Sequence, residues 1–298
     1  MKDIAKIFVY LAAVIVLGAL LAPPLYWGAQ WLAGHGILRT LAEFRFQKYF
    51  DRAALVAALL LLWPTVRWLQ VKGWRDLGLE PDRRWARHVA IGFGIAALGV
   101  AAMACAYVQF GVYRFRPEGQ WGKLPMLALS AATVAVVEES LFRGVILGLL
   151  RRSLAPYAAL FWVTALFAIV HFLKPNENFD PGPIGWLSGF TMIPQTFHQF
   201  AEPQTVLAGF TTLFALGWLC GEAALRTRSL WMSMGLHAGV VFVKMSFSVL
   251  SRRRETYLPW IGKELQIGLV PVGILVLGCF AVVLWLAYEN RGQPAPRR

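Results

Sequence analysis

The chain has 298 residues, of which 58% are hydrophobic and 15% are charged, and its formal net charge is +13. A soluble globular domain is about half apolar and about a quarter charged, so this composition argues against one. The basic residues lie mainly in short connections between apolar runs, which argues against nucleic-acid binding despite the charge. The expected partners are therefore membrane lipids, with no nucleic acid.

The apolar residues fall into runs near the length that crosses a bilayer, about 20 residues. The predicted spans are 7–28, 53–72, 88–110, 124–150, 155–173, 204–224, 229–250 and 266–288. Because backbone polar groups must be paired within lipid, each run is expected to be a helix. The sequence thus predicts an all-α, polytopic membrane protein of about eight transmembrane helices, built as one integrated membrane domain with an intramembrane polar site.

Eight spans place both termini on the same side of the membrane. That side carries 15 Lys and Arg residues against 13 on the other, and its shortest connections hold Arg151 with Arg152 and Arg226 with Arg228. Because basic residues are enriched in cytoplasmic connections, we expect both termini to be cytoplasmic. The expected location is the cytoplasmic membrane of a bacterium.

The connection 174–203 differs from the others because it holds five prolines and a partly apolar stretch, Ile184 to Ile193. Such a stretch is too short to span the membrane. It is either an interfacial or re-entrant segment that covers a site, or an ordinary exposed loop.

Two adjacent carboxylates, Glu138 and Glu139, lie about mid-way along the fourth span, with Arg143 after them. Ionisable groups at that depth are expensive, so they form either a functional site or a structural ion pair. Glu139 and Arg143 are four residues apart and share a helix face, whereas Glu138 is turned by about 100°. We therefore expect Arg143 to pair with Glu139 and Glu138 to face a cavity, where a desolvated carboxylate is suited to act as a general base.

The fifth and seventh spans each contain a histidine. Phe167 and His171 are four residues apart in the fifth span, so the ring can pack beneath the imidazole, and His237 lies in the seventh span. A lone histidine on an apolar helix is more often structural, but two of them together with a Glu-Glu-Arg group favour a functional site. The remaining histidines lie in or near loops and receive no role: His35, His88 and His198.

Three motifs follow one another in these spans: EExxxR from Glu138 to Arg143, FxxxH from Phe167 to His171, and an HxxxN-like segment from His237. In order and each within a span, they resemble the CAAX protease and bacteriocin-processing (CPBP, or Abi) family, which includes the Rce1-like prenyl-protein endopeptidases. The resemblance covers about 124–245.

The resemblance implies an eight-helix fold and hydrolysis of a peptide bond within the membrane, in a membrane-associated, lipidated or CAAX-like protein. It implies that Glu138 activates water with His171 beside it, and that His237 stabilises the oxyanion or binds the peptide. Glu139, Arg143 and Phe167 would be supporting residues. The catalytic core would then be 124–250 (helices 4–7), preceded by helices 1–3 in 1–123 and followed by the last helix and a basic tail in 251–298.

One position departs from the family pattern. The third motif usually ends in Asn or Asp four residues after its histidine, and that position here is Val241, which has no side-chain donor. Losing one oxyanion donor typically lowers a rate about 100- to 1000-fold. Lys244, on the same helix face, is a candidate substitute donor, although a lysine near the end of a span also extends to water.

A metal is the second open question of mechanism. Glu138, His171 and His237 can supply a zinc site with an open position, and family members are often labelled metalloproteases. The sequence has no HExxH, so we favour a glutamic-type mechanism with no cofactor, and zinc stays the alternative.

Two other functions compete with proteolysis. A non-catalytic relative that acts in bacteriocin immunity or as a membrane scaffold is favoured by Val241. The second competing function is that of a transporter, in which Glu138 and His171 relay protons. Aspartyl and serine intramembrane proteases fit poorly, because we find no GxGD motif and no plausible serine dyad.

Overall fold

The computed structural model describes residues 2–77, 79–257, 259–262 and 264–291, and most of them are helical. The α-helices are α1 (Lys2–Gly34), α2 (Phe46–Trp68), α3 (Trp85–Gln109), α4 (Leu124–Glu139), α5 (Leu147–Leu150), α6 (Pro156–Val170), α7 (Ser188–Gln195), α8 (Pro203–Thr227), α9 (Trp231–Leu250) and α10 (Leu269–Arg291). A π-helix, Ser140–Ile146, joins α4 to α5. Strands β1 (Tyr113–Phe115) and β2 (Ser251–Arg253) pair antiparallel. Short 3-10 turns cover Arg39–Glu43, Trp74–Leu77, Trp121–Lys123 and His198–Ala201.

The helices confirm an all-α polytopic membrane protein. Within the described ranges, six of them are long and apolar enough to cross a membrane: α1, α2, α3, α8, α9 and α10. The predicted fourth span is a composite helix over 124–150, interrupted by the π-helix. The predicted fifth span is shorter than expected, because α6 has only 15 residues. The count of eight is therefore approximate.

The chain packs as two compact units, the first made of Met1–Lys72 and Ile169–Val206 and the second of Gly73–Ala168 and Leu207–Arg298. These units follow different boundaries from the predicted division at residues 123 and 250. That division stays a prediction.

In the first unit, α1 packs closely on α2 through small side chains. Ala19, Ala22 and Ala53 are fully buried in its core. Small residues let helix backbones approach each other in a membrane, where burial in lipid gives helices no hydrophobic reason to associate. The short helix α7 also packs on α1: a Cβ added to Gly189 would lie 1.8 Å from the carbonyl oxygen of Ala19.

The segment 174–187 is anchored to the start of α2. Arg45 Nη1 donates to the carbonyl of Glu177 at 2.7 Å, and Gln47 Nε2 donates to the carbonyl of Phe179 at 2.5 Å. Met192, in the predicted apolar stretch, is fully buried in the core of the first unit. Part of the proline-rich connection therefore packs as a helix, and its role in covering a site stays a prediction.

In the second unit, α9 packs against α3 and α4, and α10 packs against α3. The apolar core is formed mainly by residues of α3, α8, α9 and α10. Tyr107, Leu219, Met232 and Val282 are among its most buried members. This arrangement holds α9, and therefore His237, between α3 and α4.

Glycines make these crossings close. A Cβ added to Gly235 would lie 2.3 Å from the carbonyl oxygen of Val89, and one added to Gly239 would lie 2.7 Å from that of Phe93. The Gly-x-x-x-Gly spacing puts both on the α9 face that meets α3. Gly217 and Gly221 of α8 have the same spacing and meet Thr164 and Leu160 of α6.

Candidate active site

The polar site of the second unit begins where α4 changes into the π-helix. Glu138 and Glu139 are the last residues of α4, and Arg143 lies within the π-helix. There the amide of Leu147 donates to the carbonyl of Phe142, five residues back. Such single wide turns inside α-helices occur often at functional sites. The sequence predicted a regular α-helix here, because the spacing of apolar residues does not distinguish an α-helix from a short π-helix.

Glu139 is the centre of the site. Its side chain is fully buried, and Arg143 Nη1 donates to its Oε1 at 2.8 Å. His237 Nδ1 lies 2.7 Å from the same oxygen, and the Ser233 hydroxyl donates to Oε2. A buried carboxylate requires such partners, because desolvation without them is costly. The predicted ion pair between Glu139 and Arg143 is present.

His237 lies between the two carboxylates. Because its Nδ1 donates to Glu139, its Nε2 faces Glu138, at 3.8 Å from Oε2. That separation is too long for a hydrogen bond, and contacts of this length often include water. The Glu138 side chain is 28% exposed, whereas that of Glu139 has no exposure. The two neighbouring glutamates therefore have different surroundings.

Phe167 of α6 packs against the cation and the imidazole. Its ring centroid lies 4.3 Å from the Arg143 guanidinium carbon and 6.0 Å from the His237 ring, with which it makes an edge contact. A cation over an aromatic face is stabilised by the ring quadrupole. Arg143 Nη2 also donates to the carbonyl of Gly217 at 3.0 Å, so α8 helps to position the guanidinium.

The charges of the cluster nearly balance. Two carboxylates face one guanidinium and one imidazole, and the sum is zero when His237 carries protons on both ring nitrogens. In a low-dielectric interior, a neutral total is far less costly than an uncompensated charge. The arrangement can orient an imidazole and hold a second, half-buried carboxylate beside its Nε2.

Three further predicted residues have separate surroundings. His171 is half-buried in the turn just after α6, which ends at Val170, and it belongs to the first unit. The expected packing of Phe167 beneath His171 assumed that both residues lie in one helix, but α6 ends one residue before His171. Val241 is half-buried in α9. Lys244 Nζ pairs with Glu264 Oε2 at 3.3 Å.

Two participants in the site were not identified from the sequence. Ser233 is four residues before His237, and a serine at that spacing in an apolar helix is a signal that could have found it. Gly217 contributes a backbone carbonyl, for which the sequence offers no signal. Both contacts depend on which helices pack together, and the sequence alone does not show that.

A second buried polar cluster joins the start of α3 to the end of α10. His88, to which no role was assigned, contacts the carboxylate of Asp82 through Nδ1, and its Nε2 lies 3.2 Å from Glu289 Oε2. Arg84 Nη1 lies 2.9 Å from the other oxygen of Glu289. These contacts connect α10 to α3, and the basic and acidic groups compensate one another's charge.

Among the residues that the structure describes, no group of three or more His, Cys, Asp or Glu side chains is arranged to hold a metal ion. In the second unit, one ring nitrogen of His237 is already bonded to Glu139. This bond leaves Nε2 of His237 for another partner, and zinc-bound histidines commonly donate their other ring N–H to a carboxylate, so it does not decide between a zinc site and a glutamic-type site.

A family model described as type II CAAX prenyl endopeptidase Rce1-like matches residues 120–243. No curated protein matches the chain. No solved structure matches it either. The matched segment includes all three motifs and the site around Glu139. The match confirms, over residues 120–243, the resemblance to the CAAX protease and bacteriocin-processing family.

Proposed function

We propose that the chain is an intramembrane endopeptidase that hydrolyses a peptide bond in a membrane-associated or lipidated, CAAX-like protein. The observation that carries this proposal is the difference between the two adjacent glutamates. Glu139 is enclosed by Arg143, His237 and Ser233, whereas Glu138 is partly exposed and faces His237 Nε2 at 3.8 Å. A structural ion pair would account for Glu139 alone.

The proposed mechanism uses water as the nucleophile. Glu138 takes a proton from water, whose oxygen bonds to the substrate carbonyl carbon as the carbonyl π electrons move to oxygen. In this step His237 is the imidazolium: its Nε2–H donates to that oxyanion, while Glu139 accepts from its Nδ1–H and keeps the ring oriented. When the C–N bond breaks, Glu138 returns the proton to the leaving amine. The place of His171 beside the water rests on the family resemblance.

The proposed mechanism contains no step through a metal. Zinc dependence stays the alternative, with Glu138, His171 and His237 as its ligands. The test is cleavage by the purified protein after dialysis against a strong chelator. Loss of cleavage that added zinc restores would replace the glutamic-type mechanism.

The experiment for the proposed function compares membrane-protein termini by mass spectrometry. Cells would express, at equal levels, the native chain, Glu138→Gln or Glu222→Gln. Glu222 is the matched control, because it is a buried glutamate of α8 that pairs with Arg226 outside the site. We expect a set of new termini with the native chain and Glu222→Gln that Glu138→Gln abolishes. Identical termini in all three, with each variant folded and inserted, would overturn the proposal.

Val241 favours a second candidate, a non-catalytic relative that acts in bacteriocin immunity or as a membrane scaffold. Val241→Asn separates the two. If the chain is a protease with a missing oxyanion donor, the amide should raise the cleavage rate about tenfold or more. If the chain is a scaffold, the Val241→Asn variant should show no cleavage. Lys244→Met tests the substitute donor, and unchanged cleavage by that variant would exclude it.

We also propose that the protein spans the cytoplasmic membrane of a bacterium with both termini in the cytoplasm. The basic short connections around Arg151 and Arg226 support this orientation. Fluorescent-protein and alkaline-phosphatase fusions to the C-terminus test it. Fluorescence without phosphatase activity is expected, and the reverse would contradict the orientation.

A further inference from the structure

The two-stranded sheet of the second unit carries a concentration of arginines. The connections 110–123 and 251–268, which hold its strands, together contain seven Lys and Arg residues and three Glu residues. β1 and β2 pair with Arg114 directly opposite Arg252. Like charges in that position destabilise a sheet, so their presence needs another explanation than fold stability.

The register extends the arginine cluster beyond this pair. The amide of Arg116 donates to the carbonyl of Leu250 at 2.8 Å, and that of Arg254 donates to the carbonyl of Val112 at 2.9 Å. Because successive side chains of a strand alternate between faces, Arg116 follows Arg114 and Arg254 follows Arg252 on the same face. The four are exposed, and we refer to them as the arginine face: Arg114, Arg116, Arg252 and Arg254.

The sheet is supported by a layer of aromatic rings. A two-stranded sheet is marginally stable by itself, so such support is needed. Tyr113 is buried and stacks on Tyr107 at 6.1 Å between centroids, and it contacts Phe247 at 5.0 Å. Arg116 Nε donates to the carbonyl of Ser251 at 3.0 Å. The arginines are therefore presented on a supported scaffold and not on a loose loop.

Two of the three glutamates in these connections bond to groups outside the arginine face. Glu255 accepts a hydrogen bond from the Tyr257 hydroxyl. Glu264 pairs with Lys244 at 3.3 Å and accepts from Gln266 Nε2 at 3.0 Å. The connections keep a basic excess, which predicts an anionic ligand.

The position of the sheet indicates which anion the arginine face would meet. β1 follows the end of α3 after three residues, and β2 follows α9 directly, so the arginine face lies where two membrane-spanning helices end. Large exposed aromatic side chains lie in the same connections: Phe110 at 80%, Trp121 at 62% and Trp260 at 59% exposure. Aromatic side chains at span ends mark the level of the lipid headgroups.

We propose that the arginine face binds the anionic phosphate headgroups of the bilayer that surrounds the protein. Planar guanidinium groups pair with phosphate through two parallel hydrogen bonds, which explains arginine in place of lysine at four of four positions. A bound phosphate between Arg114 and Arg252 would also relieve their repulsion. This proposal is independent of proteolysis, and it concerns a surface that the catalytic proposal does not use.

The test measures phosphatidylglycerol binding to the detergent-solubilised full chain by native mass spectrometry, with phosphatidylcholine as the reference lipid. We expect Arg114→Gln/Arg252→Gln to weaken phosphatidylglycerol binding roughly tenfold or more, since each interfacial arginine is worth about fivefold. The control Arg75→Gln/Arg83→Gln removes two exposed charges elsewhere in the second unit and should bind as the native chain does. High salt should weaken binding by the native chain.

The melting temperature in phosphatidylcholine shows whether the glutamine pair is folded. It should not fall, because a repulsive cross-strand pair has been removed. If it falls, Arg114→Lys/Arg252→Lys decides: this pair keeps the charge but loses the paired guanidinium hydrogen bonds, so its affinity should lie between those of the native chain and the glutamine pair, and affinity equal to that of the native chain would contradict the bidentate pairing. Equal phosphatidylglycerol affinity for the native chain and the folded glutamine pair would overturn the proposal. So would equal binding of the two lipids, or displacement of phosphatidylglycerol by soluble oligoglutamate, which would assign the face to an acidic peptide.

Discussion

Glu138 and Glu139 are identical residues whose surroundings assign them different roles. Glu139 accepts from Arg143 and Ser233 and orients His237, so neither of its oxygens is left for a reaction. Glu138, one residue earlier and turned by about 100°, keeps partial exposure. In the proposed mechanism the fully buried carboxylate is the positioning group and the half-buried one is the base.

Ser233 is expected to act as a positioning residue. Ser233→Ala removes one of the hydrogen bonds to the buried carboxylate of Glu139, a contribution of about 1.5 to 3 kcal/mol. Cleavage kinetics should show kcat reduced about 10- to 100-fold with little change in KM, because His237 loses its fixed orientation but the substrate contacts stay.

Ser246→Ala is the matched control. Ser246 is buried in the same helix, and in the described part of the chain its hydroxyl has no hydrogen-bond partner. Its replacement should leave kcat within about twofold of the native value. Equal losses in the two variants would mean that Ser233 has only a structural role.

Residue spacing predicted the Glu139–Arg143 pair correctly, because residues four apart lie on one face over a single turn. It also brought Phe167 into the list of site residues, whereas His237 entered that list as a histidine within a span. It did not predict that Phe167 packs on Arg143 and His237, because those contacts depend on the packing of α6, α4 and α9. Contacts between helices remain beyond what periodicity can show.

Among the elements, α9 determines where His237 lies. It approaches α3 through Gly235 and Gly239, two residues on either side of His237. The close crossing fixes the depth and rotation of the imidazole relative to the end of α4. The π-helix has a similar effect on the partner side, because it widens the helix directly after Glu139.

Gly235→Ala should therefore disturb both stability and catalysis. The added methyl group would lie 2.3 Å from the Val89 carbonyl oxygen and 3.0 Å from the Phe93 amide nitrogen, so α9 must move away from α3. Overpacking of this kind typically costs about 1 to 3 kcal/mol. Differential scanning fluorimetry should show a lower melting temperature.

The control for this change is Gly273→Ala in α10. A Cβ at Gly273 meets nothing within 4 Å, and alanine favours a helix by roughly 0.5 to 1 kcal/mol. Its melting temperature should be unchanged or slightly higher. If the Gly235→Ala protein were as stable as Gly273→Ala, the α3–α9 crossing would accommodate a larger side chain than the short contacts indicate.

For the whole molecule, composition and run length were sufficient to predict a polytopic α-helical membrane protein. They overstated the regularity of two spans, because a π-helix interrupts one and α6 ends after 15 residues. The buried cluster of His88, Asp82 and Glu289 was also unpredicted, since His88 lies 201 residues from Glu289. Long-range polar pairs of this kind become visible only when the helices are packed.

The most direct measurement for the central claim is a double-mutant cycle on cleavage by the purified, reconstituted protein. The claim is that Glu138 and His237 act as one catalytic unit. Glu138→Gln and His237→Asn should each lower kcat by at least about 100-fold, and the double variant should be no slower than the slower single variant. Cleavage by Glu138→Gln at the native rate, or losses that simply multiply in the double variant, would contradict the account.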